Sequence, residues 1–517
     1  MILYKLFQRH GRLGNQLWQL SFVLAMSSKM KTEWALPKWK FASYFKIGRQ
    51  WREDDNIHVD QIIQERGFDF DSALANGSAY KSHIAYDFVG YFQSERYFQN
   101  EWDGFKHLLQ FEDEFLNSIK ERMGFEPSEK DWCVHIRCGD YISNPNYLHL
   151  QPEYYISLFT ERPDCTFYIF SNDYQYCKFH FQSLNNVEFP EKCDTIEHLA
   201  IMSQFKNHLI SNSTYAWWGA KLAELYHPTK VVRPDGLFAG DMAQSCKAID
   251  FYPERWGVRP SSKQIDLIDV TFVIPVLYDS KDRKQNLDLA VCMLQRNFKT
   301  NIIIGEQGGE KRFEYMSQWA RYHYFDGMQE FHRTKMLNDM VKMATTPIVV
   351  NFDADVFFAP AQIYTAVKMI REGYDFVYPY NGVFARMDRA TCFRPLSKIF
   401  DVGIFASQSF KGMGESHKIS YGGAIIMNKD SFIKSGMENQ NFISFGREDV
   451  ERVIRWRKLG YKVGRTLGNL YHMNHKIGPD SSTQTPFYKN NEAEADKVKL
   501  MTKEELQEYV SNWSWTK

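Results

Sequence analysis

The sequence predicts two α/β domains in tandem, each built on a mostly parallel sheet. At 517 residues the chain exceeds what one hydrophobic core covers, since cores stop growing near roughly 250–300 residues. In both halves, apolar runs of strand length alternate with segments of helical spacing, the pattern of repeated βαβ units. A short polar stretch at 258–264, with Pro260, Ser261 and Ser262, separates the halves, which sets the domains at 1–262 and 268–517.

The first half opens on a strand-like run at 1–6, followed by the Gly-rich turn Gly11-Arg12-Leu13-Gly14-Asn15-Gln16 and the helix-spaced Leu17, Leu20, Val23 and Leu24. Residues 133–136 and 166–170 read as strands, 196–206 as a helix, and 209–211 and 230–232 continue the strand series. In the second half 270–276, 301–305 and 347–352 read as strands in a parallel βαβ arrangement. A polar tail from about Pro479 runs to Thr502-Lys503-Glu504-Glu505, a capping box that predicts a last helix.

Lys+Arg and Asp+Glu are 63 each, so no global field draws nucleic acid to the chain, and an anionic ligand must be met by a local pocket. The eight cysteines show no C-x-x-C pair and no zinc spacing, and are read as reduced thiols of a cytoplasmic protein. No apolar run reaches the ~20 residues that span a bilayer, and the N-terminus lacks a signal-peptide pattern. Peripheral contact with the inner face of a membrane stays compatible with this. The 16% aromatic content suits sugar-stacking surfaces and large cores alike.

Three clusters in the first half sit where a strand gives way to a helix. Gly14, Asn15 and Gln16 lie at a helix start whose free N–H groups suit a phosphate, although such a turn is also simply a turn. His135, Arg137 and Asp140 close a strand: an Arg fork matches a diphosphate, and Asp140 or His135 could orient or deprotonate an acceptor hydroxyl. A structural Arg–Asp ion pair explains the same residues. Asn212, Ser213 and Thr214 open another helix and suit sugar or phosphate contacts, or an N-cap over core tryptophans.

In order, the N-terminal turn, the segment 90–98, His-Ile-Arg-x-Gly-Asp-Tyr, Phe170-Ser171-Asn172-Asp173, 211–218 and Pro253-Glu254-Arg255-Trp256 resemble the α-1,2-fucosyltransferase family, glycosyltransferase family 11. The resemblance covers about residues 1–257. It implies a GT-B fold of Rossmann-like parallel sheets, GDP-fucose as donor, inversion without a metal, and a galactose 2-hydroxyl as acceptor. Arg137 matches the family's first motif arginine, expected on the donor phosphates, and Cys138 stands where the family usually has a second. Arg12 replaces a common Gly.

In the second half Asp353-Ala354-Asp355 follows the apolar strand at 347–352, placing two carboxylates where they can share a divalent cation that bridges a nucleotide diphosphate. Glu448-Asp449 start a helix, where a carboxylate can take a proton or merely complement the helix dipole. His472 and His475 offer imidazoles to complete the cation shell. Ile274-Pro275-Val276, Phe331-His332-Arg333, Asp-x-Asp, Gly422-Gly423, Gly446-Arg447-Glu448-Asp449 and the late histidines together resemble GT-A glycosyltransferases near the β-1,4-galactosyltransferase-like and polysaccharide-synthesising branches. That resemblance implies a mixed, mostly parallel sheet, Mn²⁺ or Mg²⁺ on Asp355 with His472 or His475, Asp353 as a metal or donor contact, Pro275 and Arg333 as UDP-sugar contacts, and Asp449 as catalytic base. Phe445 and Arg447 depart from the Trp and Gly of the galactosyltransferases.

The expectation is a bifunctional glycosyltransferase of cell-surface glycan or polysaccharide synthesis. The C-terminal domain would use a UDP-sugar, UDP-galactose first among the candidates, and the N-terminal domain GDP-fucose, on an acceptor glycan that includes lipid-linked forms. Two alternatives stay open: one active transferase with the other domain as scaffold, and a non-catalytic glycan-binding protein. Neither involves nucleic acid.

Overall fold

A computed structural model describes residues 1–516 except 55, 192, 328–329, 407–412, 418–419, 477 and 479–481. The chain divides into two compact units. Unit 1 comprises Met1–Gln151, Glu161–Tyr174 and Asn186–Ser261, and unit 2 comprises Pro152–Thr160, Gln175–Asn185 and Ser262–Lys517. Two segments of the first half of the sequence therefore belong to the second unit. The onset of the polar tail, at Pro479, lies outside the described residues.

Unit 1 holds two parallel sheets. The four-stranded sheet has the order β2-β1-β4-β3, from β1 (Ile2–Leu3), β2 (Trp34–Ala35), β3 (Gln61–Gln64) and β4 (Tyr86–Val89). The six-stranded sheet has the order β10-β9-β8-β5-β6-β7. Its strands are β5 (Asp131–Ile136), β6 (Thr166–Ser171), β7 (Val187–Glu188), β8 (Asn207–Leu209), β9 (Lys230–Pro234) and β10 (Gly257–Arg259). Every pairing in both sheets is parallel, so the carboxyl ends of neighbouring strands gather on one edge, where open α/β sheets bind ligands.

The core of unit 1 is aromatic. Trp18 on the helix Leu13–Met30 lies 4.1 Å from Trp217 and 5.6 Å from Trp218 on the helix Thr214–Ala223 (ring centroids). Gly14 lets these helices meet at their N-termini, because a Cβ there would stand 2.6 Å from the Tyr215 nitrogen and 2.7 Å from the Thr214 hydroxyl. Its absent side chain is a packing requirement first. The predicted linker is shorter than expected: Gly257–Arg259 pairs with β9, and the next strand begins at Ile265. The first strand is shorter too, since only Ile2 and Leu3 find partners and the chain then turns.

Unit 2 is built on a seven-stranded sheet, order β13-β12-β11-β14-β19-β16-β20. These are β11 (Ile265–Leu277), β12 (Phe298–Gln307), β13 (Arg321–Phe325), β14 (Ile348–Phe352), β16 (Phe376–Tyr378), β19 (Ala424–Asn428) and β20 (Val463–Arg465). The second sheet, order β15-β21-β17-β18, comprises β15 (Val356–Phe357), β17 (Phe384–Met387), β18 (Met413–His417) and β21 (Leu470–Met473). β11 to β14 pair in parallel, whereas β19 runs antiparallel to both β14 and β16. The sheet is thus mixed beyond β14, not a continuous series of βαβ units. Pro275 lies in β11 beyond the end of the β14 ladder at Val273, opposite Gly305 of β12.

The capping box at the end of the chain forms: Thr502 accepts from the Glu505 N–H, and the Glu505 carboxylate accepts from the Thr502 N–H. The segments contributed from the first half are held in unit 2 by a buried polar cluster. Asp401 accepts from Tyr176 at 2.5 Å and from the Gly403 N–H at 2.7 Å, and lies 2.9 Å from His180, with His180 and Asp401 both out of contact with water. On the helix Pro152–Glu161, Glu153 is buried, and burial pushes its pKa up to about 8.

Candidate active sites of the two units

In unit 1 the strand end of β5 carries the first cluster. Arg137 is half-buried, donates to Asp140 and lies over the Tyr141 ring at 5.1 Å. Asp140 is exposed, so the pair leaves part of the guanidinium facing outward. His135 stays within the fold. It is buried in β5, with Nδ1 2.9 Å from the Ser211 hydroxyl, and burial first, then the nearby Arg137 charge, pushes its pKa down to about 3. A neutral imidazole so placed supports the strand and the Ser211 turn, and is a poor proton acceptor for an incoming hydroxyl.

The neighbouring residues follow the same division. Cys138 is buried, its N–H donating to Asn172 at 2.9 Å, so position 138 offers no second guanidinium to the site. Asn212 donates to the Leu148 and Leu237 carbonyls at 2.8 and 2.9 Å and so ties two loops together. Ser213 caps the helix at Thr214 by accepting from the Tyr215 N–H. Gln16 lies in the core, accepting from Trp39 at 2.9 Å and donating to the Gly11 carbonyl at 3.1 Å, whereas Asn15 is half-exposed and accepts from Gln93. The helices Leu13–Met30 and Thr214–Ala223 both begin without an acidic residue in the first turn and converge at Gly14 and Thr214, which gathers two positive dipole ends.

In unit 2 the site is built on β14. Asp353 and Asp355 follow it, and the Asp353 N–H donates to the Gly423 carbonyl at 2.8 Å. The strand β15 pairs with β21 so that Val356 stands opposite His472, and the Met473 N–H donates to the Asp355 carbonyl. This register sets His472 Nε2 3.5 Å and His475 Nε2 3.1 Å from the two Asp355 oxygens. Asp355, His472 and His475 can each offer one ligand atom, all within 4.8 Å of one another, the one such group of three among the described residues. Asp355 is buried, yet the His472 charge and hydrogen bonds from both histidines outweigh that burial and hold its carboxyl well below the usual range. His475 moves the other way: burial opposes its charge, and the Asp355 carboxylate raises its pKa nonetheless.

Asp353 does not join that group. It takes an ion pair from Arg333 at 2.6 Å, on the first turn of the helix Arg333–Met343, and the same guanidinium lies 3.8 Å from Glu448 and 3.9 Å from Asp449. Asp449 also pairs with the buried Arg452 at 2.5 Å, and Arg452 pairs with Glu438 at 3.0 Å. Burial raises both acids at the start of the helix Glu448–Leu459, with the Asp449 charge adding to it at Glu448, the Asp353 and Glu438 charges adding to it at Asp449, and the arginines opposing it; Glu448 reaches about 7. A Cβ on Gly422 would stand 2.7 Å from the Asp449 carboxylate, so the glycine lets that carboxylate pack against the backbone. Pro275 is buried within β11.

Arg283 escaped the reading of the sequence. From the helix Lys281–Asn297 it donates to Asp279 at 3.1 Å and to Asp355 at 3.2 Å, setting a cation beside the Asp355 group. The i,i+4 Asp279–Arg283 spacing at a helix start was the signal for the first contact; nothing local announces the second. Tyr380, which donates to the Gly422 carbonyl at 2.7 Å, and Arg452 are likewise visible only in the fold.

The cluster of unit 1 lies at the strand carboxyl ends of an α/β fold, where open sheets bind ligands. Residues 7–234 match the model of glycosyl transferase family 11. An α-1,2-colitosyltransferase of Escherichia coli is 30% identical over 182 residues, 33% of this chain and 61% of that protein. The O-antigen biosynthesis glycosyltransferase WbnK of Escherichia coli is 29% identical over 171 residues, 30% of this chain and 56% of that protein. The chain therefore spans less than two thirds of either relative. Among solved structures, the catalytic domain of Drosophila β1,4-galactosyltransferase 7 with xylobiose aligns over 46% of this chain and 82% of its own, at 14% identity and a TM-score of 0.28, a likeness too slight to carry an argument. No described helix is long and apolar enough to cross a membrane.

Proposed function

We propose that the chain is a bifunctional glycosyltransferase: unit 1, with a GT-B arrangement, transfers fucose from GDP-fucose to a galactose 2-hydroxyl with inversion, and unit 2, of GT-A type, transfers a hexose from a UDP-sugar with a divalent metal. The observation that carries the first half is the family 11 match over residues 7–234 together with Arg137 at a strand carboxyl end beside two converging helix N-termini. Arg137 and those N–H groups would neutralise the departing diphosphate, and no metal is needed where fixed cations and dipoles face it. Asp140, exposed beside Arg137, is the group left to meet the acceptor hydroxyl, because His135 is buried and bonded to Ser211. One relative is named for colitosyl rather than fucosyl transfer, so a colitosyl donor belongs in the donor screen.

For unit 2 the support is the convergence of Asp355, His472 and His475. One carboxylate and two imidazoles fit a divalent transition metal, and suit Mn²⁺ better than Mg²⁺, which favours oxygen ligands. The bound ion would supply positive charge to the leaving diphosphate. Arg333 holds Asp353 in place and lies near Glu448 and Asp449. Asp449, at the start of the helix Glu448–Leu459 and close to Arg333, is the group we assign to take the acceptor proton, and its raised pKa brings it nearer to that task.

The decisive experiment uses the full chain, because Pro152–Thr160 and Gln175–Asn185 belong to unit 2. GDP-fucose turnover insensitive to EDTA, alongside UDP-sugar turnover abolished by EDTA and restored by Mn²⁺, is the expected outcome. If neither donor is bound or consumed, the enzyme reading fails in favour of a glycan-binding protein.

A further inference from the structure

Unit 1 carries a feature that donor binding does not use. Six rings follow one another across it: His10 to Tyr91 at 4.4 Å between centroids, Tyr91 to Phe68 at 6.1 Å, Phe68 to Phe238 at 5.3 Å, Phe238 to Tyr147 at 6.2 Å and Tyr147 to Tyr141 at 4.3 Å. All six are half-exposed. Each lies in the segment that follows the carboxyl end of a strand, β1, β3, β4, β5 or β9, so the row crosses the ligand-binding edge of both parallel sheets.

The row ends at the two elements already assigned to the donor. At one end Tyr141 lies under Arg137, and at the other His10 precedes the Gly11 turn. It is also held in shape. Tyr147 and Phe238 form an antiparallel backbone bridge, the Ala239 N–H donates to the Asn146 carbonyl at 2.9 Å, and the Tyr4 hydroxyl lies 2.9 Å from His10 Nδ1. An aromatic surface kept half-open and rigid beside a reaction centre is a recognition surface more readily than a piece of core.

We propose that this aromatic row is the acceptor track of unit 1, seating a galactose-terminated chain of several sugars with its terminal ring beside Arg137 and Asp140; this rests on the fucosyl-transfer reading above. The chemistry is that of the sugar. One face of a galactopyranose presents C–H groups of slight positive charge, which pack on the electron-rich face of an aromatic ring while the hydroxyls stay in water. Successive rings spaced by about the width of a sugar favour an extended oligosaccharide over a single residue. A nucleotide base also stacks on aromatic rings, and that occupant is the rival the experiment must separate.

Full-length protein is compared with Phe68→Ala, Phe238→Ala and the conservative Phe68→Tyr. GDP affinity, GDP-fucose hydrolysis, and transfer to methyl β-galactoside and to a β-galactose-terminated tetrasaccharide are measured. The unaltered protein is expected to show a KM for the tetrasaccharide about tenfold below that for the methyl galactoside. Each alanine variant should bring that ratio close to one with GDP affinity and hydrolysis unchanged, and Phe68→Tyr should preserve it. A ratio near one in the unaltered protein, a ratio that survives both alanine changes, or GDP affinity falling with them would overturn the track. Absence of GDP binding and of fucose transfer in the unaltered protein would instead sink the fucosyl reading. Saturation-transfer NMR with the tetrasaccharide then decides the track alone: signal lost in the alanine variants upholds it, and signal absent or unaltered refutes it.

Discussion

On the proposed reading the two units meet the same electrostatic problem, a dianionic leaving group, from opposite directions. Unit 1 presents positive charge directly: one outward guanidinium at Arg137 and two helix N-termini free of acidic first-turn residues. Unit 2 sets acids beside arginines: Asp353 on Arg333, Asp355 beside Arg283 and two histidines, and Asp449 on Arg452. On that reading the first arrangement needs no metal, whereas in the second a cation held at Asp355 would supply positive charge to the diphosphate.

The comparison breaks most sharply at Asp355. Asp355→Asn should abolish Mn²⁺ binding, read by electron paramagnetic resonance, and lower UDP-sugar turnover by on the order of a hundredfold or more, with GDP-fucose turnover intact. Loss of both activities in a folded protein would contradict separate sites. Arg137→Ala should do the converse, lowering GDP-fucose turnover by about a hundredfold, the cost of one diphosphate-facing cation, while leaving the Mn²⁺-dependent reaction alone.

His180→Ala tests the scaffold beneath the contrast. It leaves the buried Asp401 with one polar partner fewer, which is expected to cost about 1–3 kcal/mol in unfolding by urea. A chain begun at Ser262 would lack His180 and Tyr176 altogether, and should fail to give a soluble, cooperatively melting unit 2.

The smallest effect is one of pH. Glu153 has its pKa raised to about 8 by burial, so the folded state holds a proton that the unfolded chain releases near 4.5. Its contribution to stability is therefore full below about pH 4.5 and is lost as pH rises toward 8. Glu153→Gln removes that loss, and its melting temperature should gain on the unaltered protein by a few degrees between pH 5 and 9. A gap constant across that range would show that Glu153 is not protonated in the fold.

Much of this organisation was legible in the residue order. The strand ends at 135–140 and 353–355, the helix starts at Thr214 and Glu448, and the capping box at Thr502 are local patterns, and each is present. What was misjudged were side-chain directions. Gln16 and His135 read as ligand contacts because they stand beside Gly14 and Arg137, yet both turn inward to bond with Trp39 and Ser211. Position in the chain sets a residue near a strand end or a helix start, whereas packing decides which side chains stay inside.

The sequence alone determined the two-unit plan, the strand-end positions of Arg137, Asp353 and Asp355, and the resemblance of the N-terminal region to family 11, because periodicity, turn residues and ordered motifs are all local in the chain. Only the tertiary structure decided that both histidines, not one, stand at Asp355 together with Arg283, and that Asp353 turns away from them to Arg333. It alone assigned Pro152–Thr160 and Gln175–Asn185 to unit 2 and aligned six rings from five strand ends. Those outcomes depend on which strands pair and in what register, and pairing between residues more than a hundred positions apart is set by burial and packing that no short stretch of sequence contains.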